Sequence, residues 1–390
     1  MTGYDAAVIG AGPAGSAAAA ILAERGRRVL LLERDHFPRR KVCGEFLSSG
    51  ARASLVRLGV LGSVEEGAER IAEGSVHFLG GGCVSFCLPA PAIGISRFRL
   101  DELLARRAVE LGAEARFGIR AVAVEGTLAS GFRIRCAGVR EEQVAARSVV
   151  GAWGRWDALD RRLQRGFLHR RAKFWAWSRD YGGDTRDLAG RVSLYLFPGG
   201  YCGLSRVEGG IVNLAGVVSE RVRRRLAAGW QSVMEHARSA NAQLNRRLAP
   251  LHEGPVGFLG TGPVYFTAKP PVERGVLMTG DAAGVIDPFS GEGQAAALAS
   301  GILAAETLER GLAAEIPIEV VARRYAEAWR RRFSRRFDWG AAFRQLMLRP
   351  VVGSAVARIA GERAVVFAIR RMGSGLRFPD PAEEKRKMET

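Results

Sequence analysis

The chain is short of cysteine, of lysine and of uninterrupted apolar sequence, and each shortage excludes something. Its 390 residues contain five cysteines, at positions 43, 83, 87, 136 and 202. An odd, scattered set argues against a disulfide framework. The five histidines stand too far apart to complete a zinc site. A reduced, cytoplasmic protein with no metal is therefore expected. The most apolar stretch, Ala6 to Leu22, is broken by Gly10, Gly12, Pro13 and Gly15 and follows no basic leader. Neither a membrane span nor a signal peptide is expected. There is no internal repeat and no low-complexity linker. What is present suits a large core: 47% of residues are hydrophobic and 25% charged, enough for more than one domain.

Lysine is scarce because arginine takes its place, with five lysines among 58 basic residues. The net charge is +18, and between Arg323 and Arg371 stand 13 arginines against Glu327, Asp338 and Glu362. Such a surface is either simply solvated or meets membrane lipid or an anionic substrate. No nucleic-acid-binding module and no interleaving of aromatic and basic residues accompanies it, so nucleic acid is not an expected partner.

The chain opens on a β-α-β unit. Tyr4 to Ile9 reads as a buried parallel strand, Pro13 to Arg25 as an alanine-rich helix, and Arg28 to Glu33 as a second buried strand. Between the first two lies G-x-G-x-x-G at Gly10, Gly12 and Gly15, with Pro13 and Ala14 inside it. Gly10 permits the tight turn, Gly12 lets the backbone approach a pyrophosphate, and Gly15 lets helix and strand pack closely. The helix N-terminus then offers unpaired N–H groups and the positive end of its dipole. Glu33, with Arg34 beside it, ends the second strand, where a carboxylate accepts from ribose hydroxyls.

A second motif spans residues 275–294, GVLMTGDAAGVIDPFSGEGQ. A buried strand ends at Gly280-Asp281, where a carboxylate can hold ribityl hydroxyls. Pro288 and Gly291-Glu292-Gly293 then lead into a helix whose N-terminal N–H groups face the pyrimidine edge of an isoalloxazine. Behind a dinucleotide fingerprint this favours FAD over NAD.

Residues 73–97 and 161–264 have another texture, with short aromatic and β-branched runs between glycine turns, as in an antiparallel sheet. Residues 99–112 and 219–248 read as helical. The expected architecture is α/β. A Rossmann-like FAD-binding domain is built from 1–72, 98–160 and 265–318. An antiparallel β-sheet substrate domain of 73–97 and 161–264 is inserted into it. A C-terminal helical region follows over 319–372, amphipathic in pattern, and then a flexible tail over 373–390.

These residues carry a resemblance. GAGPAG at 10–15, LLERD at 31–35, KVCGEFLSSGA at 41–51, ISRFRLDELL at 95–104, GAWGR at 151–155, FPGGYCGLSRVEGG at 197–210 and GDAAGVIDPFSGEG at 280–293 resemble the flavoprotein superfamily of para-hydroxybenzoate hydroxylase. Within it, the chain is most similar to the geranylgeranyl-reductase-like branch. The resemblance implies that Arg97 contacts the ribityl-phosphate region, and that Lys41, Val42 and Cys43 lie beside the isoalloxazine. It also implies that Phe197, Pro198 and Tyr201 line the substrate side. Cys43 matches a cysteine of the prenyl reductases, and is read either as a small residue packed near the flavin or as a catalytic thiol. The candidate catalytic set is Cys43, Tyr201 and Pro288.

Three departures matter. Trp153 stands where hydroxylases of the superfamily carry an Asp tied to nicotinamide handling, so electrons come from a transiently bound NAD(P)H or from a partner reductase. Trp175-Ala176-Trp177 continues as Ser178-Arg179 and so breaks the Trp-x-Trp-x-Ile-Pro pattern of flavin halogenases. CGEFLSS departs from the glycine-rich run that follows the prenyl-reductase cysteine. The first expectation is therefore a monooxygenase that hydroxylates an aromatic, polyketide or lipid-like substrate through a flavin hydroperoxide. The alternative is saturation of prenyl double bonds, with halogenation third. A small hydrophobic or aromatic substrate and peripheral membrane contact through the basic C-terminal helices are the expected partners.

Overall fold

The computed structural model describes residues 3–347, except 139–140, 172 and 256. The helix expected to continue past residue 347 and the tail from residue 373 lie outside the described residues.

Two sheets organise the described chain. The first is parallel at its centre, in the order Val276–Met278, Glu142–Gly151, Tyr4–Ile9, Val29–Glu33, Glu114–Phe117. Ala7 pairs with Leu30 on one side and with Val149 on the other. Its central strands are buried on both faces, which explains why VLLLE and YDAAVI are nearly continuous apolar runs. An antiparallel meander, Arg120–Thr127 and Gly131–Ala137, joins the edge of Glu142–Gly151.

Two helices pack together on this sheet, Pro13–Glu24 and Gly293–Ala313. They approach so closely that a Cβ on Gly301 would stand 2.1 Å from the carbonyl oxygen of Ala14. The alanine run of the first helix is thus a contact surface, fully buried from Ala14 to Ala23. Outside it lies the long helix Ile318–Met347, whose Tyr325, Trp329 and Phe333 join the same core. Burial of each such ring contributes about 1.5–3 kcal/mol. The Tyr325 hydroxyl, sealed inside, donates to the carbonyl of Met278 at 2.6 Å.

The second sheet has nine strands, antiparallel except where Arg191–Phe197 runs parallel to Glu69–His77. That parallel contact brings the hairpin Glu69–His77 and Cys83–Gly94 into the sheet formed by Phe174–Gly182, Arg191–Phe197, Gly200–Arg206 and Val212–Ser219. One face carries Trp177, Tyr195, Phe197, Cys202 and Leu204 and is covered by the helices Trp230–Ala240 and Ala242–Leu248. The other face, with Tyr201, Gly203 and Ser205, looks toward the first sheet across a cavity.

Candidate active site

That cavity measures about 1610 Å³. A site for one small molecule spans roughly 300–1,000 Å³, so there is room for a dinucleotide and a substrate together. At one end it is lined by Gly10, Gly12, Pro13 and Ala14, by Glu33 and Arg34, and by Gly280, Asp281 and Gly293.

The three glycines of the fingerprint have different reasons to be glycine. Gly10 has φ +104°, and a Cβ there would stand 2.4 Å from the carbonyl of Ala152. Gly15 is outside the cavity wall, and its Cβ would fall 1.8 Å from the carbonyl of Gly10. Gly12 is different: its Cβ would meet only the guanidinium tips of Arg97 at 3.6 Å and Arg39 at 3.9 Å. Above Gly12 there is consequently a gap between a helix N-terminus and two arginines, a cradle for a diphosphate.

The two arginines are held in place by carboxylates. Arg97 forms a fork on Asp101, with both nitrogens at 2.7 Å. Burial lowers its pKa, but Asp101 raises it further, so the guanidinium stays charged. Arg39 lies between Asp101 at 3.1 Å and Glu33 at 3.2 Å. Glu33 is itself tied down, accepting from the N–H of Ala11 at 2.9 Å and of Asp35 at 3.2 Å. Its carboxylate therefore braces the glycine loop as well as facing the cavity. Arg34 pairs with Asp157 at 3.2 Å, and Lys41 with Asp35 at 2.6 Å. Burial, then the neighbouring Arg39, pull the Lys41 pKa down.

The Asp281 side chain lies open to the cavity, and its backbone is fixed from behind. Lys269 Nζ donates to the carbonyls of Asp281 at 2.8 Å and Arg155 at 2.6 Å. Burial brings this lysine down to about 7, with Arg165 adding to it and Asp160 and Asp281 opposing. Arg155 donates to the carbonyl of Val42 at 3.0 Å, which anchors the Lys41–Val42–Cys43 segment. Trp153 also lines the cavity, and its indole N–H donates to Asp160 at 3.1 Å, a carboxylate it shares with the buried Arg165 at 2.9 Å.

Cys43 is in the wall, where its sulfur receives N–H groups from Glu45 at 3.4 Å and Gln294 at 3.5 Å. Burial raises its pKa and Arg97 only partly offsets this, so the group is a thiol at neutral pH. Glu292 precedes the helix Gly293–Ala313, and burial pushes it up to about 7 against the pull of Arg336 and Ser48. Tyr201 lines the cavity, but its hydroxyl already donates to Asp287 at 2.6 Å. Burial, then that carboxylate, raise the phenol pKa well above its ordinary value. Pro288 opens the turn Pro288–Ser290 that Asp287 caps.

Two expected wall residues are elsewhere. Side chains alternate along a strand, so Phe197 falls on the helix-covered face with Tyr195, away from the cavity. Pro198 is at an exposed turn, where its carbonyl hydrogen-bonds His236 Nε2 at 2.9 Å. His77 stacks on Tyr195 on that same far face, and His169 is exposed. Trp175 is away from the cavity as well, with its N–H on Glu220 and Arg223 over its ring at 4.2 Å. Sequence reasoning missed Arg39, Lys269, Asp287 and Gln294. The first two had no spacing signal. Asp287 and Gln294 stood inside the second motif without a role of their own.

Residues 3–177 match the family described as FAD binding domain. The chain is an FAD-dependent oxidoreductase. The flavoenzyme is 29% identical over 351 residues to menaquinone reductase of Mycobacterium tuberculosis, a match covering 83% of this chain and 81% of that one. It is 24% identical to digeranylgeranylglycerophospholipid reductase 1 of Methanococcoides burtonii, over 85% of this chain and 80% of the relative. Among solved structures, a flavin-dependent brominase superposes with a TM-score of 0.81 at 20% identity, covering 100% of this chain and 98% of that one. That last likeness is one of fold. The open cradle over Gly12 and the two guanidinium groups above it fit the FAD diphosphate, and Asp281 fits a ribityl hydroxyl.

Among the described residues, no helix is long and apolar enough to cross a membrane, and no group of His, Cys, Asp or Glu could hold a metal ion.

Proposed function

We propose that this flavoenzyme saturates isolated double bonds in the prenyl chain of a lipid-like substrate. One observation carries the reading. Every residue that the second sheet contributes to the cavity wall is uncharged, and the polar ones are Tyr201, Ser205 and Thr261. Around them stand Phe86, Leu88, Val192, Leu194, Val217 and Val264. With Tyr201 committed to Asp287, this wall offers little to orient a phenol or a carboxylate, and much to an aliphatic chain. The reductases similar to this chain are named for isoprenoid lipids, which supports the same substrate class.

When bound and reduced, FAD supplies a hydride. The chain's own residues do the rest. The apolar wall holds the alkene and keeps out water. The Cys43 thiol, protonated and beside the Gly293 helix start, is the group able to release a proton to the second carbon. Hydride and proton together complete the saturation of one double bond. The outward face of the helix Ile318–Met347 carries Arg323, Arg324, Arg330, Arg331, Arg335 and the exposed Trp339, in keeping with contact to the lipid surface that would deliver such a substrate.

The test is anaerobic. The holoenzyme is reduced chemically and mixed with a polyunsaturated prenyl lipid. Reoxidation of the flavin, with a gain of two hydrogens per double bond by mass spectrometry, is the expected result. A flavin that stays reduced with the lipid but, once O2 is admitted, consumes it faster when an aromatic substrate is present would overturn it in favour of hydroxylation.

A further inference from the structure

Behind the thiol lies a carboxyl group that the reaction scheme has not used. Glu45 is 3% exposed and sits in a backbone conformation unusual for a glutamate, with φ +53°. A non-glycine residue in the left-handed region is a strained choice, held only where its surroundings fix it. Here they do. The Glu45 N–H is one of the donors on Cys43 Sγ, at 3.4 Å. Its carbonyl accepts from Ile95 N–H at 3.1 Å, and its Oε1 accepts from Arg97 N–H at 2.9 Å. One residue therefore ties the Cys43 segment to the start of the helix Arg97–Glu110, the helix that presents Arg97 to the cradle.

The other carboxyl oxygen, Oε2, is buried and has no hydrogen-bond partner among the described residues. A buried, unpaired anionic oxygen is expensive, and such a group takes up a proton instead. The charges around it point the same way. Asp180 on the strand Phe174–Gly182 and Glu208 on the turn Glu208–Gly210 disfavour a further negative charge. Arg40 favours it, but is engaged by Asp180 at 2.9 Å, and the Arg97 guanidinium is engaged by Asp101. Burial comes first among the effects that lift this carboxyl, to about 8.

We propose that Glu45 is the positioning residue of Cys43, and that it works as a neutral carboxylic acid. Neutral, it keeps the loop closed on the helix and adds no charge beside the thiol. Ionised, it would set a third carboxylate against Asp180 and Glu208 and loosen the donor that holds the sulfur. The inference concerns the same site as the prenyl-reductase reading, but its test uses no substrate, so either can fail without the other.

The experiment compares the wild-type holoenzyme with Glu45→Gln and Glu45→Ala. Infrared spectra at neutral pH are expected to show a protonated-acid carbonyl band, shifted in D2O and missing from Glu45→Gln. Alkylation of Cys43 is followed by peptide mass mapping across a pH series. Glu45→Gln, which mimics the neutral acid, should match wild type at neutral pH and depart from it above about pH 8, where only the wild type gains a charge. Glu45→Ala should alkylate several-fold faster throughout, with FAD still bound. The absence of the Glu45 band at neutral pH would overturn the proposal, even if the alanine variant failed to fold. So would a glutamine variant whose thiol reacts as fast as that of the alanine variant.

Discussion

Replacing Gly12 and Gly15 by alanine, one at a time, separates ligand binding from folding within a single motif. Gly12 has φ −80°, a value open to any residue, so alanine brings no backbone strain. The added methyl projects toward the gap below Arg97 and Arg39, 3.6 and 3.9 Å from their tips, where the diphosphate must lie. Loss of one or two charge-assisted hydrogen bonds at about 1.5–3 kcal/mol each amounts to roughly 10-fold to 10,000-fold or more in Kd. At Gly15 the same methyl would overlap the Gly10 carbonyl at 1.8 Å. Alanine in a helix gains up to about 1 kcal/mol over glycine, but forcing helix and strand apart costs on the order of 1–3 kcal/mol or more. FAD titration and urea unfolding of the apo-protein are the assays. Gly12→Ala should keep wild-type apo stability and lose FAD, whereas Gly15→Ala should lose stability first. A Gly12→Ala protein that binds FAD as tightly as wild type would refute the placement of the diphosphate.

Two further substitutions probe the cavity walls. Tyr201→Phe removes the donor to Asp287 but leaves that carboxylate with Arg344; melting should show a loss of about 1–2 kcal/mol, with the FAD content of the purified protein unchanged. Lys269→Met removes both donors that fix the Arg155 and Asp281 carbonyls, and fluorescence titration should show FAD binding weakened about tenfold or more. This lysine also makes stability depend on pH. Folding lowers its pKa from 10.5 to about 7, so between those values the unfolded chain holds the extra proton and stability rises with pH. The rise, on the order of 3–5 kcal/mol in all, should disappear from the Lys269→Met denaturation series.

The sequence was most readable where backbone geometry dictates residue type. Gly10 and Gly15 are imposed by contacts that no side chain survives, and the apolar runs of the central strands by burial on both faces. Asp281 followed from the same logic at the end of a strand. The second sheet was visible as alternation, yet its two faces were not told apart, and the family resemblance placed Phe197 and Pro198 on the substrate side with Tyr201. Alternation says that neighbours oppose one another, and only the helices packed behind Phe197 decide which face is which. Arg39 and Lys269 were hidden for another reason. Each acts by reaching a partner far away in sequence or a backbone carbonyl, and neither leaves a spacing to read. Arginine abundance made this worse, since a functional Arg39 looks like any other of its kind.

The segment Asp287–Gly293 joins the parts of the site, and this gives the last helix a role in it. Asp287 receives the Tyr201 hydroxyl from the second sheet and the Arg344 guanidinium from the helix Ile318–Met347. Arg344 also lies 5.0 Å from the ring centres of Phe174 and Phe266, the latter a wall residue. Eight positions earlier on the same helix, Arg336 stands 3.9 Å from Glu292. The helix thus braces the turn at both ends, one turn end facing substrate and the other the flavin helix. Arg344→Met keeps the packing on the two phenylalanines and removes the cation. It leaves Asp287 buried with Tyr201 and the Phe289 N–H alone, a loss of about 3–5 kcal/mol for breaking a buried pair. Because Gly12, Arg39 and Arg97 are far along the chain and bonded independently, FAD affinity should hold. Under the prenyl-reductase reading, the KM for the prenyl lipid should rise by about tenfold or more as the wall around Phe266 loosens. If FAD affinity fell in step with KM, the helix would be supporting the whole cavity and the separate bracing of the substrate wall would be disproved.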